Sequence, residues 1–428
     1  MTYADFLARK KRVWGGAGLA EAAIPSMLFP WQATITRWAL RKGRAAIFAD
    51  CGLGKSFMQL AWAQAIPGRV LILAPLCVAE QTVAEGAKLG IAVKYARTQQ
   101  EAGNAGLVIT NYERLDGFDP SVFAGVVLDE SSILKAFDGK TRQKLIETFA
   151  GTPFRLCCTA TPSPNDIAEL ANHAEFLGLM TRPEFLATWF VHDDAGWRMK
   201  KHAVQPFFRW LASWAVALRK PSDIGFSDEG FTLPPLSIQE HIVESGAVAG
   251  ALFPELGIHG ITGRMAARRG SMDARLEETA RLANGSGQWL LWCGMNDESD
   301  QLTDLIPDAV NVQGSDSYAV KRSAVQDFTS GKIRVLVSKI RILGFGLNFQ
   351  HCHQMAFVGI GDSYEQYYQA IRRCWRFGQT KPVTAHVVVS QAERLIVENV
   401  RQKEAHADAL SRDLLAQMRD FEREELIA

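Results

Sequence analysis

The chain has 428 residues, long enough for two or three domains with cores of their own. Its composition, 47% hydrophobic and 22% charged, marks a soluble globular protein, and no apolar run approaches the ~18 residues of a membrane span, so no membrane association is expected. The net charge of +1 neither demands nor excludes nucleic acid, and it confines any basic surface to a patch balanced by acidic regions elsewhere. The 7 cysteines are scattered, with one adjacent pair at Cys157-Cys158, and an odd count without a spacing framework points to reduced thiols in a cytosol. Arg9 to Arg12 give a signal-like start, but Glu21 and the lack of a strong apolar segment argue against secretion.

Residues 1–30 form a lead-in to a helix predicted from Gln32 to Arg41. Gln32 is either an ordinary polar helix-start residue or an amide that reads adenine, since one amide both donates and accepts. An apolar strand, Ala45 to Ala49, then breaks at Asp50-Cys51-Gly52-Leu53-Gly54 and resumes after Lys55-Ser56 with the helical spacing of Phe57, Leu60 and Ala61. Strand, glycine turn, Lys-Ser and helix together make a phosphate cradle. Gly52 and Gly54 let the backbone turn its N–H groups inward, and the new helix adds its positive end. Lys55 would reach the β- and γ-phosphates of a nucleotide, and the Ser56 hydroxyl would ligate Mg²⁺. The strict pattern wants a glycine where Ala49 stands, so the match is a loosened one.

Further apolar strands are predicted at Val70 to Pro75, Leu107 to Tyr112 and Gly125 to Glu130, separated by helical segments such as Val78 to Gly86. That alternation predicts an α/β unit with a parallel, doubly wound sheet, whose ligands bind at the C-terminal strand ends. Asp129-Glu130 sits at one such end. Asp129 would hold the metal, through water, and Glu130 would polarise the attacking water; an ordinary charged strand end is the bland alternative. A fifth strand, from Arg155, ends in Thr159 and Thr161, whose hydroxyls are candidates for coupling rather than chemistry.

Residues 165–231 read as helical and irregular. Phe207, Leu211, Trp214 and Leu218 recur at helical spacing and are expected in the core rather than as a base-stacking platform. Arg198, Lys200, Lys201, Arg209, Arg219 and Lys220 make the region locally basic, either a solvated face or a grip on a nucleic-acid backbone. Leu233-Pro234-Pro235-Leu236 reads as a linker, which places the boundary between a first domain, 1–235, and a second, 236–428. The second domain repeats the α/β alternation, with strands at Gln288 to Cys293, Ala309 to Val312, Ile333 to Ser338, Gln354 to Val358 and Ala385 to Val389. It has no phosphate loop of its own. It carries a glycine-rich turn, Gly344 to Gln350, and a helical stretch, Tyr364 to Gln379, in which Gln369, Arg373 and Arg376 would share a face. The two arginines are either phosphate clamps or part of a basic surface helix. His351-Cys352-His353 matches no standard zinc spacing and is read as a strand end and turn. The charged tail, Ala392 to Ala428, has an apolar stripe and is expected to pack on the second domain.

The order of these pieces resembles the superfamily-two helicases and, within them, the compact bacterial or phage form of the Snf-type DNA translocases. Phe29 to Gln32 is similar to the adenine-reading glutamine motif, Asp50 to Ser56 to the nucleotide loop, and Asp129 to Ser132 to the acidic box. Leu73 to Leu76 and Thr110 to Glu113 resemble strand-contacting motifs. Thr159 to Pro162 resembles the coupling motif, and Gly344 to Gln350 and Gln369 to Gln379 resemble the last two motifs. The resemblance implies two tandem RecA-like domains, each a mostly parallel sheet flanked by helices, with ATP and Mg²⁺ between them and with Arg373 and Arg376 as arginine fingers. It also implies nucleotide contact at Gly346, and nucleic-acid contact or coupling at Pro75, Thr110, Asn111, Thr159, Thr161, Ser338, Asn348 and Gln369. The expected partner is DNA, duplex rather than single-stranded, in the cytoplasm of a bacterial or phage-infected cell. A monomer is expected, with a nuclease or methylase as a possible associate. Ser132 stands where the family usually has histidine, and Arg372 where glycine is common. An unwinding helicase acting on single strands or RNA, and a non-catalytic nucleic-acid clamp, are the alternatives.

Overall fold

The computed structural model describes residues 13–75, 78–135, 139–163, 165–193, 196–244, 268–344, 347–361 and 363–427. The chain divides into two units, one built from the chain up to Phe231 together with the segment from His406 onward, the other from Thr232–Ala405.

The first unit is made by apolar strands that are buried on both faces. Strand β1 (Arg44–Ala49) follows helix α1 (Pro30–Lys42) and precedes helix α2 (Lys55–Ala65). Alternate residues of β1 go to opposite faces: Ala46 and Phe48 join one core cluster, Ala45, Ile47 and Ala49 the other. Strands β2 (Val70–Ala74), β3 (Val93–Tyr95), β4 (Leu107–Asn111), β5 (Gly125–Asp129), β6 (Phe154–Cys158) and, beyond an antiparallel hairpin of β7 (Phe190–Asp193) and β8 (Gly196–Met199), β9 (Ala215–Leu218) complete the set. The 7-stranded sheet runs β3-β4-β2-β5-β6-β1-β9, and its neighbouring strands pair in parallel. Continuous apolar runs such as Val70 to Ala74 suit strands covered by helices on both sides.

The region read as helical and irregular differs from its expectation in two ways. It contains the β7–β8 hairpin, and its helical stripe stops at the helix Val204–Ala212, after which Ala215 to Leu218 becomes a sheet strand beside β1. A short apolar run of this kind carries no periodicity that separates strand from helix. Phe207, Leu211, Trp214 and Leu218 are all buried, which makes them core.

The closing helix, Arg394–Ile427, was expected on the second domain; from His406 onward it belongs to the first unit. Leu414, Leu415 and Met418 bury in the same cluster as Phe185 and Trp210. An apolar stripe announces a buried face but not which domain covers it. The helix also finishes an exposed sheet edge, since β9 is the outermost strand and the N–H of Ala217 donates to Glu422 Oε1 at 2.7 Å. Burial pushes the Glu422 carboxyl up to about 8, so the folded chain holds its proton through a range where the unfolded chain does not. Stability from this group is complete below the ordinary carboxylate value and is lost as the pH rises toward 8. Glu422→Gln, which keeps the acceptor and cannot ionise, should remove a loss on the order of 3 kcal/mol between pH 5 and pH 9, as read from denaturant melts of both proteins at the two pH values.

In the second unit, strands β10 (Leu236–Val243), β11 (Trp289–Cys293), β12 (Ala309–Val312), β13 (Val335–Lys339), β14 (Gln354–Val358) and β15 (Val383–Ser390) form a 6-stranded parallel sheet in the order β10-β15-β14-β11-β13-β12. Of the segment read as a linker, Leu236 opens a strand: Leu236 to Val243 pair along their whole length with Val383 to Ser390. Trp289, Leu291, Val335, Val337 and Ala356 pack on Leu276, Ala280 and Ala283 of the helix Met272–Ala283. Each unit is therefore a parallel sheet flanked by helices, the arrangement of tandem RecA-like domains. Among the described residues, no helix is long and apolar enough to cross a membrane.

At the C-terminal ends of β11 and β14 the second unit carries a buried ionic network that the sequence did not announce. Glu298, fully buried, accepts Arg268 Nε and Nη2 and Arg275 Nη1, each at 2.9 Å. The same carboxylate accepts the backbone N–H groups of Gly294 and Met295, and Arg275 also faces Glu393 at 3.4 Å.

Candidate active site

The strands of the first unit deliver their polar exits to one edge. Register pairs Ile47 with Cys158, Asp129 with Cys158, and Ala74 with Asn111, so the loops after β1, β2, β4, β5 and β6 leave the sheet side by side. This is the edge at which parallel α/β sheets bind ligands.

The loop after β1 turns through Gly52 (φ 89) and Gly54 (φ 71), both in the left-handed region, and Gly54 caps α2. Lys55 Nζ donates to Ala49 O at 2.7 Å and to Asp50 O at 3.3 Å, which holds the ammonium over the mouth of the loop. Gln32 reaches the loop from α1. Its Nε2 donates to Leu53 O at 3.0 Å, and its Oε1 accepts the Phe29 N–H at 3.1 Å. One N–H and one lone pair of the amide remain, the two groups an adenine edge requires. A Cβ at position 54 would stand 2.5 Å from Gln32 Nε2, so glycine is needed there for space as well as for torsion. Ser56 lies half-buried in the first turn of α2.

Asp129 ends β5 with its carboxylate buried. Gln59 Nε2, from α2, donates to Asp129 Oδ1 at 2.7 Å, and Tyr112 OH donates to the Asp129 carbonyl at 2.7 Å. Burial, and secondly the charge of Glu130, raise the Asp129 carboxyl to about 6, against the pull of Gln59 and Lys55. Two carboxyl groups crowded at a buried strand end suit a divalent cation, which would relieve that shift. Among the described residues Glu130 is the one non-glycine with positive φ, at 54°. That conformation costs on the order of 1–3 kcal/mol and persists only where neighbours over-determine it. Thr159 Oγ1 lies 3.5 Å from Glu130 Oε2, and the Thr161 N–H donates to Thr159 Oγ1 at 3.1 Å. Ser131, next in the chain, is buried and meets His173 Nε2 at 3.1 Å. Burial, helped by Lys135, drops the His173 imidazole to about 3, so the ring is neutral. Its Nδ1 has no protein partner, so the single proton belongs on Nε2, which donates to Ser131 Oγ.

Nothing in the sequence marks Gln59 or His173, and Tyr112 stands there only within the Thr110 to Glu113 segment. The available signal was thin: Gln59 is a polar residue on the buried face of α2, one turn after Lys55. Thr110 and Asn111, expected at a nucleic acid or in coupling, are both buried. Asn111 Nδ2 donates to Pro75 O at 3.2 Å, and Tyr95 OH donates to Asn111 Oδ1 at 3.1 Å, so Asn111 braces the turn after β2.

In the second unit the helix predicted across Tyr364 to Gln379 ends at Ile371, and Arg372, Arg373 and Arg376 lie in the turns beyond it. The two expected clamps still converge. Arg373 Nη1 and Arg376 Nη1 donate to Leu347 O at 3.2 and 3.3 Å, and Arg373 Nε donates to Gln369 O at 2.9 Å. Arg373 is buried and Arg376 half-buried, so neither belongs to a plain basic surface helix. The side-chain oxygens of Asn348 and Gln369 are buried without a protein partner, while Ser338 Oγ donates to Val312 O at 2.8 Å and so ties strand to strand. Gly346 lies outside the described residues.

Residues 274–378, within the second unit, match the family model described as the helicase conserved C-terminal domain. That match indicates a superfamily-two helicase-type protein, and with it nucleotide use and nucleic-acid binding. The chain matches no curated protein sequence.

Proposed function

We propose that the protein is a nucleic-acid-stimulated ATPase of the Snf type that moves along duplex DNA. The observation that carries this reading is the convergence of the Lys55 loop and the Asp129-Glu130 pair on one sheet edge, with Glu130 held in a strained backbone conformation. ATP would lie against Gly52, Gly54 and Lys55, with the remaining hydrogen-bonding groups of Gln32 at the adenine. Ser56 and Asp129 would hold Mg²⁺, which shields phosphate charge when bound. Lys55 would exchange its two backbone carbonyls for phosphate oxygens, and Glu130 would accept a hydrogen bond from the attacking water and orient it. Thr159, whose Oγ1 lies 3.5 Å from Glu130 Oε2, would pass a change at the carboxylate to the loop that contains Thr161. Arg373 and Arg376 are the charges of the second unit assigned to the γ-phosphate, for which they would leave Leu347 O.

One observation favours the unwinding alternative. The β7–β8 hairpin stands outside the main sheet and carries an exposed Trp197 edge-on to His192, the kind of element that can part strands. Stimulation of ATP hydrolysis by duplex DNA, single-stranded DNA and RNA separates the two. Duplex DNA is expected to stimulate most, and the effect should fall steeply with added salt. Equal or stronger stimulation by single strands would transfer the assignment to an unwinding enzyme.

A further inference from the structure

We propose that Tyr112 and His173 are positioning residues that lock the backbone around Glu130, and so aim its carboxylate. The inference rests on the assignment of Glu130 as the group that orients water. The torsion φ of Glu130 is rotation of the preceding peptide plane, and the oxygen of that plane is the Asp129 carbonyl. Tyr112 OH holds this oxygen at 2.7 Å. The following plane is held by its own carbonyl, since Glu130 O accepts the Ile133 N–H at 3.2 Å. The next residue is pinned through its side chain, with Ser131 Oγ at 3.1 Å from His173 Nε2 and hydrogen-bonded also to Cys157. A left-handed glutamate thus has an anchor on each side, supplied by residues that follow β4 and lie in helix α3 (Leu170–Phe176).

The anchors differ from the rest of the core around them. His173 lies against Phe48 with its rings edge to face at 5.2 Å, a site where an apolar side chain would pack as well. What an apolar side chain lacks is the N–H given to Ser131. Tyr112 is likewise buried among apolar residues, and a phenylalanine would fill its place without the hydroxyl. Both polar atoms therefore serve the acidic turn rather than the packing. Released from them, the turn can relax to the common right-handed region, and the Glu130 carboxylate then points elsewhere.

Steady-state ATP hydrolysis by the full chain, with duplex DNA saturating, tests this with four variants. Tyr112→Phe and His173→Leu are each expected to lower kcat about tenfold while KM for ATP and the Kd of a non-hydrolysable ATP analogue stay within about twofold, because Glu130 acts on water and not on nucleotide binding. His173→Gln, which keeps an N–H donor, should recover most of the rate. Ser131→Ala combined with His173→Leu should stay within about twofold of His173→Leu alone, since the bond between the two side chains is lost in both and the double variant adds only the loss of the Ser131–Cys157 contact. Wild-type kcat in Tyr112→Phe and His173→Leu overturns the proposal, as does a fall in analogue binding that matches the fall in kcat. If His173→Leu does not fold, Tyr112→Phe decides, because it keeps the ring. Glu130→Gln separates the proposal from the reading beneath it. Loss of about 10²–10⁴-fold is expected there. Full activity in Glu130→Gln removes the assignment of Glu130 itself, whereas an inactive Glu130→Gln beside fully active Tyr112→Phe and His173→Leu removes only the anchors.

Discussion

Lys55→Ala is expected to lower the kcat of ATP hydrolysis by about 10²–10³-fold or more, the scale set by removing one preorganised charge donor from a site where charge develops. The ammonium is held in place before any nucleotide arrives, since Ala49 O and Asp50 O accept hydrogen bonds from it at 2.7 and 3.3 Å. It therefore exchanges one set of oxygens for another and needs no large search. Lys55→Arg should be nearly as damaging, because a planar guanidinium does not fit where a compact ammonium is cupped by two carbonyls. Initial rates on both proteins with saturating duplex DNA read this, and hydrolysis at the wild-type rate in Lys55→Ala would sink the assignment of the loop.

The loop and the acidic pair were legible because local order alone makes them. An apolar strand, two glycines and Lys-Ser need no partner from elsewhere in the chain to make a strand, a tight turn and a helix start, and Gly125 to Glu130 reads as a buried strand with charge at its exit. What supports them was not legible. Gln59, Tyr112 and His173 act across the sheet, on partners distant in the chain, and their spacing to Asp129 and Ser131 carries no information about contact. The same limit explains the misplaced tail and the missed strand at Ala215 to Leu218: a stripe or a short apolar run shows that something is buried, not against what. The end of the helix at Ile371 was hidden for a different reason. Arg372 lies over the rings of Tyr368 and Trp375 at 5.1 and 4.4 Å, so aromatic and charged residues at near-helical spacing are satisfied by a turn that breaks the helix.

The network around Glu298 shows how far a buried charge can be relied on. Burial alone would raise this carboxyl, but Arg268 and Arg275 outweigh it and hold the group below the ordinary carboxylate range. Its contribution is present above that range and is lost as the pH falls through the lowered value. Glu298→Ala leaves two arginines facing a void and frees the N–H groups of Gly294 and Met295, so a loss of about 3–5 kcal/mol is expected. For a unit of this size that is a fall of roughly 10 °C in Tm. The damage should be confined: hydrogen exchange ought to speed up in β11, β13 and β14, while β1 and β5 of the first unit keep their protection. Space is as tight as charge here, because a Cβ on Gly359 would stand 2.9 Å from Arg275 Nη1 and 3.0 Å from Arg268 Cζ. Replacing the carboxylate and both arginines together by Leu and Met should recover much of what Glu298→Ala loses, since breaking such a network costs more than exchanging it for apolar packing. Unchanged exchange rates in Glu298→Ala would mean that the arginines find water or other partners, and that the two sheet ends are held by backbone pairing alone.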